Sequence, residues 1–209
     1  LSCPATSLQT IAIVNHGLVR LDSGSTVLTR TGNTCAGRTI VNDGVIRKQQ
    51  SASTTSIGVP IENHGLVEAV SGPLGLGAGT AAGTTAGGVY RGSFPGQIVF
   101  SGQANTFDDG DGHELQGLVS LTSGSLDGDP YLANGATLTL TGGGTLNGLL
   151  HGPGTLNMIG GTLTSDVLPD GPRNWTGGTI TGDVHVRSGA TLSSLPGGTE
   201  MKKLTAAAA

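Results

Sequence analysis

The chain has 209 residues, of which 38 are glycine, and charged residues make up only 11%. Its net charge of −4 is spread along the sequence, without the basic patch of a nucleic-acid-binding protein. No apolar run approaches the roughly 18 residues of a membrane span, so we expect no membrane insertion by this segment. Glycine without a strict every-third spacing excludes collagen, and the abundant Val, Ile and Leu argue against a disordered chain.

A short phrase repeats in the first third of the chain, across residues 8–80. It reads apolar, variable, Asn, variable, Gly, apolar, and its copies are centred on Asn15, Asn42 and Asn63. Self-similarity at intervals of roughly 20 to 50 residues indicates stacked repeats, because one strand–corner–strand copy cannot bury its own apolar face. The repeat therefore predicts a β-solenoid in which consecutive copies form successive coils.

The asparagine and glycine of each copy suit a corner between two strands. Gly and Asn adopt a positive φ at the lowest steric cost. Asparagines stacked in consecutive coils can also hydrogen-bond along the solenoid axis. We therefore predict a structural ladder of Asn15, Asn42 and Asn63. His16 and His64, which follow two of these asparagines, are interpreted as exposed corner residues.

The chain contains two cysteines, Cys3 and Cys35. An even number of cysteines in a Gly- and Thr-rich, Lys-poor sequence is typical of a secreted protein with a disulfide. We expect a Cys3–Cys35 disulfide that ties the first coil to the second. The sequence begins with Leu1 rather than Met, which we interpret as a mature terminus or a fragment boundary.

Two segments in the middle of the chain depart from the repeat. Residues 71–92 are rich in Gly, Ala and Thr and are predicted to form a loop that bulges from one coil. Residues 108–114 hold the densest cluster of ionisable side chains. Asp109, Asp111 and Glu114 are candidate Ca²⁺ ligands, since Ca²⁺ prefers several oxygens on a flexible loop. The alternative is a solvated turn, because Asp and Gly are good turn formers.

A second repeat occupies residues 115–205, with the unit Gly-Thr-Leu or Gly-Ala-Thr-Leu. Threonine outside and leucine inside follows the two-residue alternation of a strand. Together the repeats predict one all-β domain over residues 1–205, a single-stranded parallel β-helix of about ten coils at roughly 20 residues per coil. Residues 206–209 are left out of this fold, as a vector remnant or as unassigned residues.

The second repeat resembles a known class of sequence. Its clearest stretch reads Asn-Trp-Thr-Gly-Gly-Thr-Ile-Thr-Gly at residues 174–182, followed by Ser-Gly-Ala-Thr-Leu at residues 188–192. These units and the Asn-X-Gly copies are similar to Gly/Thr-rich repeat regions of bacterial secreted and cell-surface proteins, including autotransporter-like adhesins and the stalks of polymorphic toxins. The resemblance implies a right-handed parallel β-helix that extends or displays another part of a larger protein. It implies no catalytic residue and no cofactor.

The expected function is that of a secreted or surface-displayed structural or adhesive module that contacts glycans or proteins. One alternative is a β-helix polysaccharide lyase or glycoside hydrolase, in which two carboxylates on an outer face act as acid and base. The acids available for such a face are Asp108, Asp109, Asp127, Asp129 and Asp166. A trimeric fibre or spike and an ice-binding solenoid with threonine rows are further alternatives, and the oligomeric state is open.

Overall fold

The computed structural model describes residues 12–22, 24, 26–29, 39–78, 88–107, 112–164, 171–181, 183–186, 191–194 and 203–206. These residues form short strands joined by tight corners. In chain order the strands are β1 (Ala12–Asn15), β2 (Leu18–Leu21), β3 (Thr26–Thr29), β4 (Thr39–Asn42), β5 (Val45–Lys48), β6 (Thr55–Gly58), β7 (Ile61–Asn63), β8 (Leu66–Ala69), β9 (Pro73–Leu76), β10 (Val89–Gly92), β11 (Gln97–Phe100), β12 (Ala104–Phe107), β13 (Glu114–Gly128), β14 (Tyr131–Leu132), β15 (Thr137–Leu146), β16 (Thr155–Met158), β17 (Thr162–Leu163), β18 (Arg173–Trp175), β19 (Thr179–Ile180), β20 (Asp183–Val186), β21 (Leu192–Ser194) and β22 (Lys203–Ala206).

The strands stack in columns along the solenoid axis, and all the strand pairings within the described ranges are parallel. The first column contains β1, β4 and β7. The second contains β2, β5, β8, β10, the start of β13 and β14. The third contains β3, β6, β9, β11, the middle of β13, the start of β15, β16, β18 and β21. The fourth contains β12, the ends of β13 and β15, β17 and β19.

The protein is therefore an all-β parallel β-solenoid of about six turns. The turns from β1 to the end of β15 each contribute three strand segments, whereas β16 to β19 and β21 continue only the third and fourth columns. The predicted parallel solenoid is confirmed, but the prediction of about ten coils was wrong. That estimate divided the whole chain by one coil length, whereas within the described residues complete turns of three strand segments end with β15.

Alternating side chains along each strand build a narrow core. In β11, Ile98 and Phe100 are fully buried while their neighbours in the strand are half-buried. The predicted Thr-out, Leu-in pattern is seen in β16, where Leu156 is buried and Thr155 is half-buried. Burying a leucine contributes about 1.5–3 kcal/mol, so the stacked rows of apolar residues stabilise the coils against one another. Trp175 extends one such row and is only 5% exposed, so its side chain fills the core.

Threonines at strand ends have a structural role. In four turns a threonine directly follows a buried strand side chain, and its hydroxyl donates a 3.3 Å hydrogen bond to a backbone carbonyl of the preceding turn. The pairs are Thr122 with Phe100, Thr164 with Leu146, Thr176 with Met158, and Thr181 with Leu163. Part of the threonine pattern is therefore explained by corner formation.

One buried cation joins two corners of the solenoid. The side chain of Lys48 is fully buried, and its Nζ donates to the carbonyls of Ser51, at 2.5 Å, and Ser71. These two carbonyls belong to successive turns, so a single ammonium group satisfies both. Burial lowers the pKa of Lys48 from its usual value, because desolvation disfavours the charged form.

Three aromatic rings fill the core of one turn. Tyr90, Phe100 and Phe107 come from three different columns and meet edge to face, with ring centroids 5.3, 5.8 and 5.8 Å apart. This geometry is favourable because the positive edge of one ring meets the negative face of another. Tyr90 is fully buried and its side chain hydrogen-bonds to Asn63. Burial raises the pKa of the Tyr90 phenol.

Replacing Tyr90 with phenylalanine is expected to change how stability depends on pH. Because the folded-state pKa of Tyr90 is raised, the unfolded chain releases this proton near pH 10 while the folded chain keeps it. The wild type should therefore lose about 1.4 kcal/mol per pH unit above pH 10 relative to Tyr90→Phe. Denaturant unfolding from pH 7 to 11.5 measures this difference. If the two plots of unfolding free energy against pH stay parallel, the prediction is wrong. A constant offset of about 1 kcal/mol between them would then reflect only the lost hydrogen bond.

Both ends of the predicted Gly-rich loop are strands. Residues 73–76 form β9 and residues 89–92 form β10, while residues 79–87 lie outside the described ranges. At the other end of the chain, Ala206 is the last residue of β22, which pairs with β20. The alanine at 206 therefore belongs to the fold, although the sequence prediction left it out.

Candidate functional site

A notch in the outer surface lies at the corner between the second and third columns, within β13. Here the strand bends from Gly117 directly into Leu118. The preceding turn places residues 93–97 where this turn has only Leu118. The following turn places residues 133–136 at the corresponding corner, which is also longer. One short corner between two longer ones leaves an open groove of about 660 Å³.

Tight turns close both walls of the notch. In the first wall the Gly96 amide donates to the Ser93 carbonyl at 2.6 Å, and in the second the Ala136 amide donates to the Ala133 carbonyl at 3.0 Å. Hydrogen bonds between residues i and i+3 define β-turns. In the second turn Gly135 has a φ of +74°, which a residue with a side chain adopts at a cost. The walls are thus fixed by local backbone geometry.

The floor of the notch depends on one glycine. Gly117 has a φ of +63°, and a Cβ at this position would lie 2.0 Å from the carbonyl oxygen of Gly92 in the preceding turn. Glycine therefore meets two requirements here, a left-handed backbone and close contact between turns. Without both, the strand would not bend into Leu118 so abruptly, and the groove between the walls would be shallower.

Phe94 stands on the first wall with its ring in solvent. It is 87% exposed, more than any other large apolar residue in the described part of the chain. Its exposed position forgoes the roughly 1.5–3 kcal/mol that burying a phenylalanine typically contributes. A rigid, exposed aromatic ring beside polar groups is typical of a binding surface.

Polar side chains line the notch below this ring. Oε2 of Glu114 accepts a hydrogen bond from Nε2 of Gln116 at 2.8 Å. The Arg91 guanidinium lies in the preceding turn, directly beside Gln116 in the strand register. Asn134 lines the notch from the second wall. The site therefore offers one aromatic face together with amide, carboxylate and guanidinium groups.

Arg91 also belongs to a charged row that runs along the outside of the second column. The register places Arg20, Arg47, Glu68 and Arg91 side by side in successive turns. Glu68 is only 8% exposed, and its carboxylate lies 2.7 Å from Nε of Arg47 and 3.6 Å from a terminal nitrogen of Arg91. The row thus holds three arginines and one glutamate, which Arg47 and Arg91 both contact, although the whole chain is acidic.

The three predicted ladder asparagines form one continuous column. Nδ2 of Asn15 donates to Oδ1 of Asn42, and Nδ2 of Asn42 donates to Oδ1 of Asn63, both at 2.7 Å. Each amide also donates at 3.2 Å to a backbone carbonyl of the next turn, in Val45, Leu66 and Val89 respectively. The ladder fixes the corner between the first and second columns and lies inside the solenoid, away from ligands.

Only one of the three candidate Ca²⁺ ligands falls within the described residues. Asp109 and Asp111 lie outside them, whereas Glu114 begins β13 and lines the notch. Among the residues that the structure describes, no three His, Cys, Asp or Glu side chains come together as a metal site would require. The Glu114 carboxylate is instead engaged by Gln116.

The candidate catalytic acids that can be placed are engaged in hydrogen bonds at corners. Asp127 accepts from Oγ of Ser125 at 2.8 Å and from Nδ2 of Asn147 at 2.6 Å. Asp129 accepts from the backbone amide of Leu149 at 3.1 Å. Asp108, Asp109 and Asp166 lie outside the described residues. The acids that are described therefore join neighbouring turns.

Histidines at the ladder corners form pairs with acids. Nδ1 of His16 lies 3.1 Å from Asp43, and Nε2 of His64 lies 3.0 Å from Glu62. Both histidines are exposed, as expected for corner residues. The predicted Cys3–Cys35 disulfide falls outside the described residues.

The sequence interpretation missed Phe94 and Arg91. A signal for Phe94 was present, because an aromatic residue directly before Pro-Gly sits in a turn and is pushed to the surface. No comparable signal marked Arg91. Its position beside the notch depends on the strand register, which the sequence of a Gly-rich strand specifies weakly.

Comparison with known proteins gave no match, whether to protein-family profiles, to curated proteins or to solved structures. The described ranges contain no helix with the length and apolar character needed to cross a membrane. The geometry of the notch is therefore the basis for a functional proposal.

Proposed function

We propose that this chain is a right-handed β-solenoid module of a secreted or cell-surface bacterial protein, and that it binds glycans in the notch at Gly117. The solenoid serves as a stiff display segment, and the notch provides its adhesive contact. The right-handed winding, the location and the larger parent protein rest on the resemblance of the Gly/Thr-rich repeats to adhesin and toxin-stalk sequences. Glycan binding rests on the residues of the notch.

The observation that carries the proposal is the exposed ring of Phe94 above a polar floor. A sugar ring has apolar C–H faces and a polar edge of hydroxyl groups. The Phe94 ring can pack against the C–H face, and the side chains of Glu114, Gln116 and Asn134 can hydrogen-bond with the hydroxyl groups. Small-molecule sites typically combine an aromatic or apolar surface with a few fixed polar groups in a volume of about 300–1,000 Å³. The notch, at about 660 Å³, falls within that range.

The openness of the groove fits an adhesive module. A site that leaves one side of its ligand in water gains little burial and binds weakly as a single copy. Surface-displayed proteins can compensate through several simultaneous contacts, because linked sites raise the effective concentration of each binding event. Rigid walls help in this setting, since little conformational entropy is lost on binding.

Replacing Phe94 with alanine is expected to weaken glycan binding at least tenfold, a loss of about 1.4 kcal/mol. Glycan-array screening of the wild type identifies a ligand, and calorimetry then compares the variants. Ile159→Ala is the matched control, because Ile159 is also a large apolar residue that is 58% exposed but does not line the notch. Equal losses in both variants, or wild-type affinity in Phe94→Ala, would contradict the proposal.

A further inference from the structure

The charged row beside the notch indicates which sugars the site prefers. We propose that the notch selects carboxylated sugars, with the Arg91 guanidinium receiving the carboxylate while Phe94 contacts the ring. This inference rests on the proposed glycan-binding function and names the ligand class for the same site. It begins from the hydrogen bonding of Arg91.

Arg91 is incompletely paired in the described structure. Its contact with Glu68 is 3.6 Å, too long for a strong hydrogen bond, whereas Arg47 holds the same carboxylate at 2.7 Å. The Nε atom of Arg91 is buried and has no hydrogen-bond partner among the described residues. The side chain as a whole is 40% exposed, so part of the guanidinium remains accessible from the notch. A guanidinium in this state can donate hydrogen bonds to an anion.

The nearest acid in the notch does not neutralise Arg91. Glu114 faces Val89 in the strand register, and its carboxylate is held by Gln116 at 2.8 Å. Gln116 itself lies beside Arg91 in the strand register. The notch thus has the Arg91 guanidinium on one side and, on the other, the Glu114 carboxylate, which keeps its negative charge while Gln116 donates a hydrogen bond to it.

The local charge supports an anionic ligand. The three arginines of the row, Arg20, Arg47 and Arg91, outnumber their two acidic partners, which are Glu68 and, beyond the strand, Asp22 at 3.2 Å from Arg20. A guanidinium matches a planar carboxylate with two parallel N–H···O hydrogen bonds. This fork geometry suits the carboxylate of a carboxylated sugar and explains why an arginine, rather than a lysine, suits the position.

The test compares two oligosaccharides that differ only in charge, a hexa-uronate and its carboxyl-reduced neutral counterpart. Calorimetry on the full chain should show the uronate binding at least tenfold more tightly. In Arg91→Gln this ratio should fall to about one while the neutral oligosaccharide still binds, which shows that the variant is folded. Arg20→Gln, in the same row but away from the notch, should keep the wild-type ratio.

The outcomes separate this inference from the proposed function. Equal affinity for the two oligosaccharides, with binding lost in Phe94→Ala, would overturn the preference for carboxylates and leave glycan binding standing. A charge preference that persists in Arg91→Gln would also overturn it. If the wild-type protein binds neither oligosaccharide and no glycan on the array, the proposed function itself is overturned.

Discussion

Replacing Asn42 with alanine is expected to lower the free energy of unfolding by about 3–5 kcal/mol. Asn42 is fully buried at the centre of the ladder. Its amide donates to Asn63 and to the Leu66 carbonyl, and its oxygen accepts from Asn15. Alanine removes all three hydrogen bonds and leaves buried polar groups without water to replace them. Urea unfolding followed by circular dichroism measures the loss.

A matched control separates burial from hydrogen bonding as such. Asn174 donates to Asn157 at 2.8 Å in a similar inter-turn contact, but Asn174 is exposed and Asn157 is only half-buried. Asn174→Ala should therefore cost no more than about 0.5 kcal/mol, because water replaces the lost partner. Equal losses at the two positions would contradict a structural ladder that depends on burial.

The aspartate variant of the same residue gives a second test. Asn42→Asp still accepts from Asn15 but has no proton for Asn63 and Leu66 unless its carboxyl group is protonated. Burial raises the folded-state pKa of such a group above its unfolded value of about 3.9. The variant should therefore lose stability relative to the wild type as the pH rises above about 4. A pH-independent difference would show that the donated hydrogen bonds contribute little.

Replacing Gly117 with alanine is the second substitution for which we expect a large effect, a loss of at least about 3 kcal/mol. A left-handed conformation costs a residue with a side chain about 1–2 kcal/mol. The added Cβ would also lie 2.0 Å from the Gly92 carbonyl oxygen, so the two turns would have to separate. The loss of stability should be accompanied by weaker glycan binding, since Gly117 shapes the floor of the notch. Thermal unfolding and calorimetry measure the two effects.

Two other glycines separate the cost of the left-handed backbone from the cost of the contact between turns. Gly135 has a φ of +74° but nothing within 4 Å of an added Cβ, so Gly135→Ala should cost only about 1–2 kcal/mol. Gly143 has neither a positive φ nor a close neighbour, so Gly143→Ala should leave stability within about 0.5 kcal/mol of the wild type or raise it slightly. A loss at Gly117 no larger than that at Gly135 would show that the contact between turns is relaxed.

The notch illustrates how a repeat protein can acquire a site without a catalytic or metal-binding motif. Stacked turns in a solenoid have nearly the same outline, so equal corners would give a smooth surface. A difference in corner length between neighbouring turns is enough to create a groove with two walls. The same turns keep their inward residues in register, and the core is continuous beneath the site. Variation in corner length therefore changes the outer surface at little cost to the fold.

Several features of this protein followed from the sequence by itself. The Asn-X-Gly copies predicted parallel coils with Asn15, Asn42 and Asn63 in one column, because corners require particular backbone angles and buried amides require partners. The Gly-Thr-Leu units predicted strands with leucine inside. These features depend on residues close in the chain and on a repeat that the sequence displays directly.

Other features were decided only by the tertiary structure. The number of turns, the position of Arg91 beside Gln116 and the notch itself depend on which residues pair across turns, and the interval between paired residues varies along the chain. A groove arises from differences between neighbouring corners, which no single repeat contains. Local backbone chemistry thus determined the strands and corners of the solenoid, whereas the register between turns, set by packing along the whole core, determined where its polar and aromatic side chains meet.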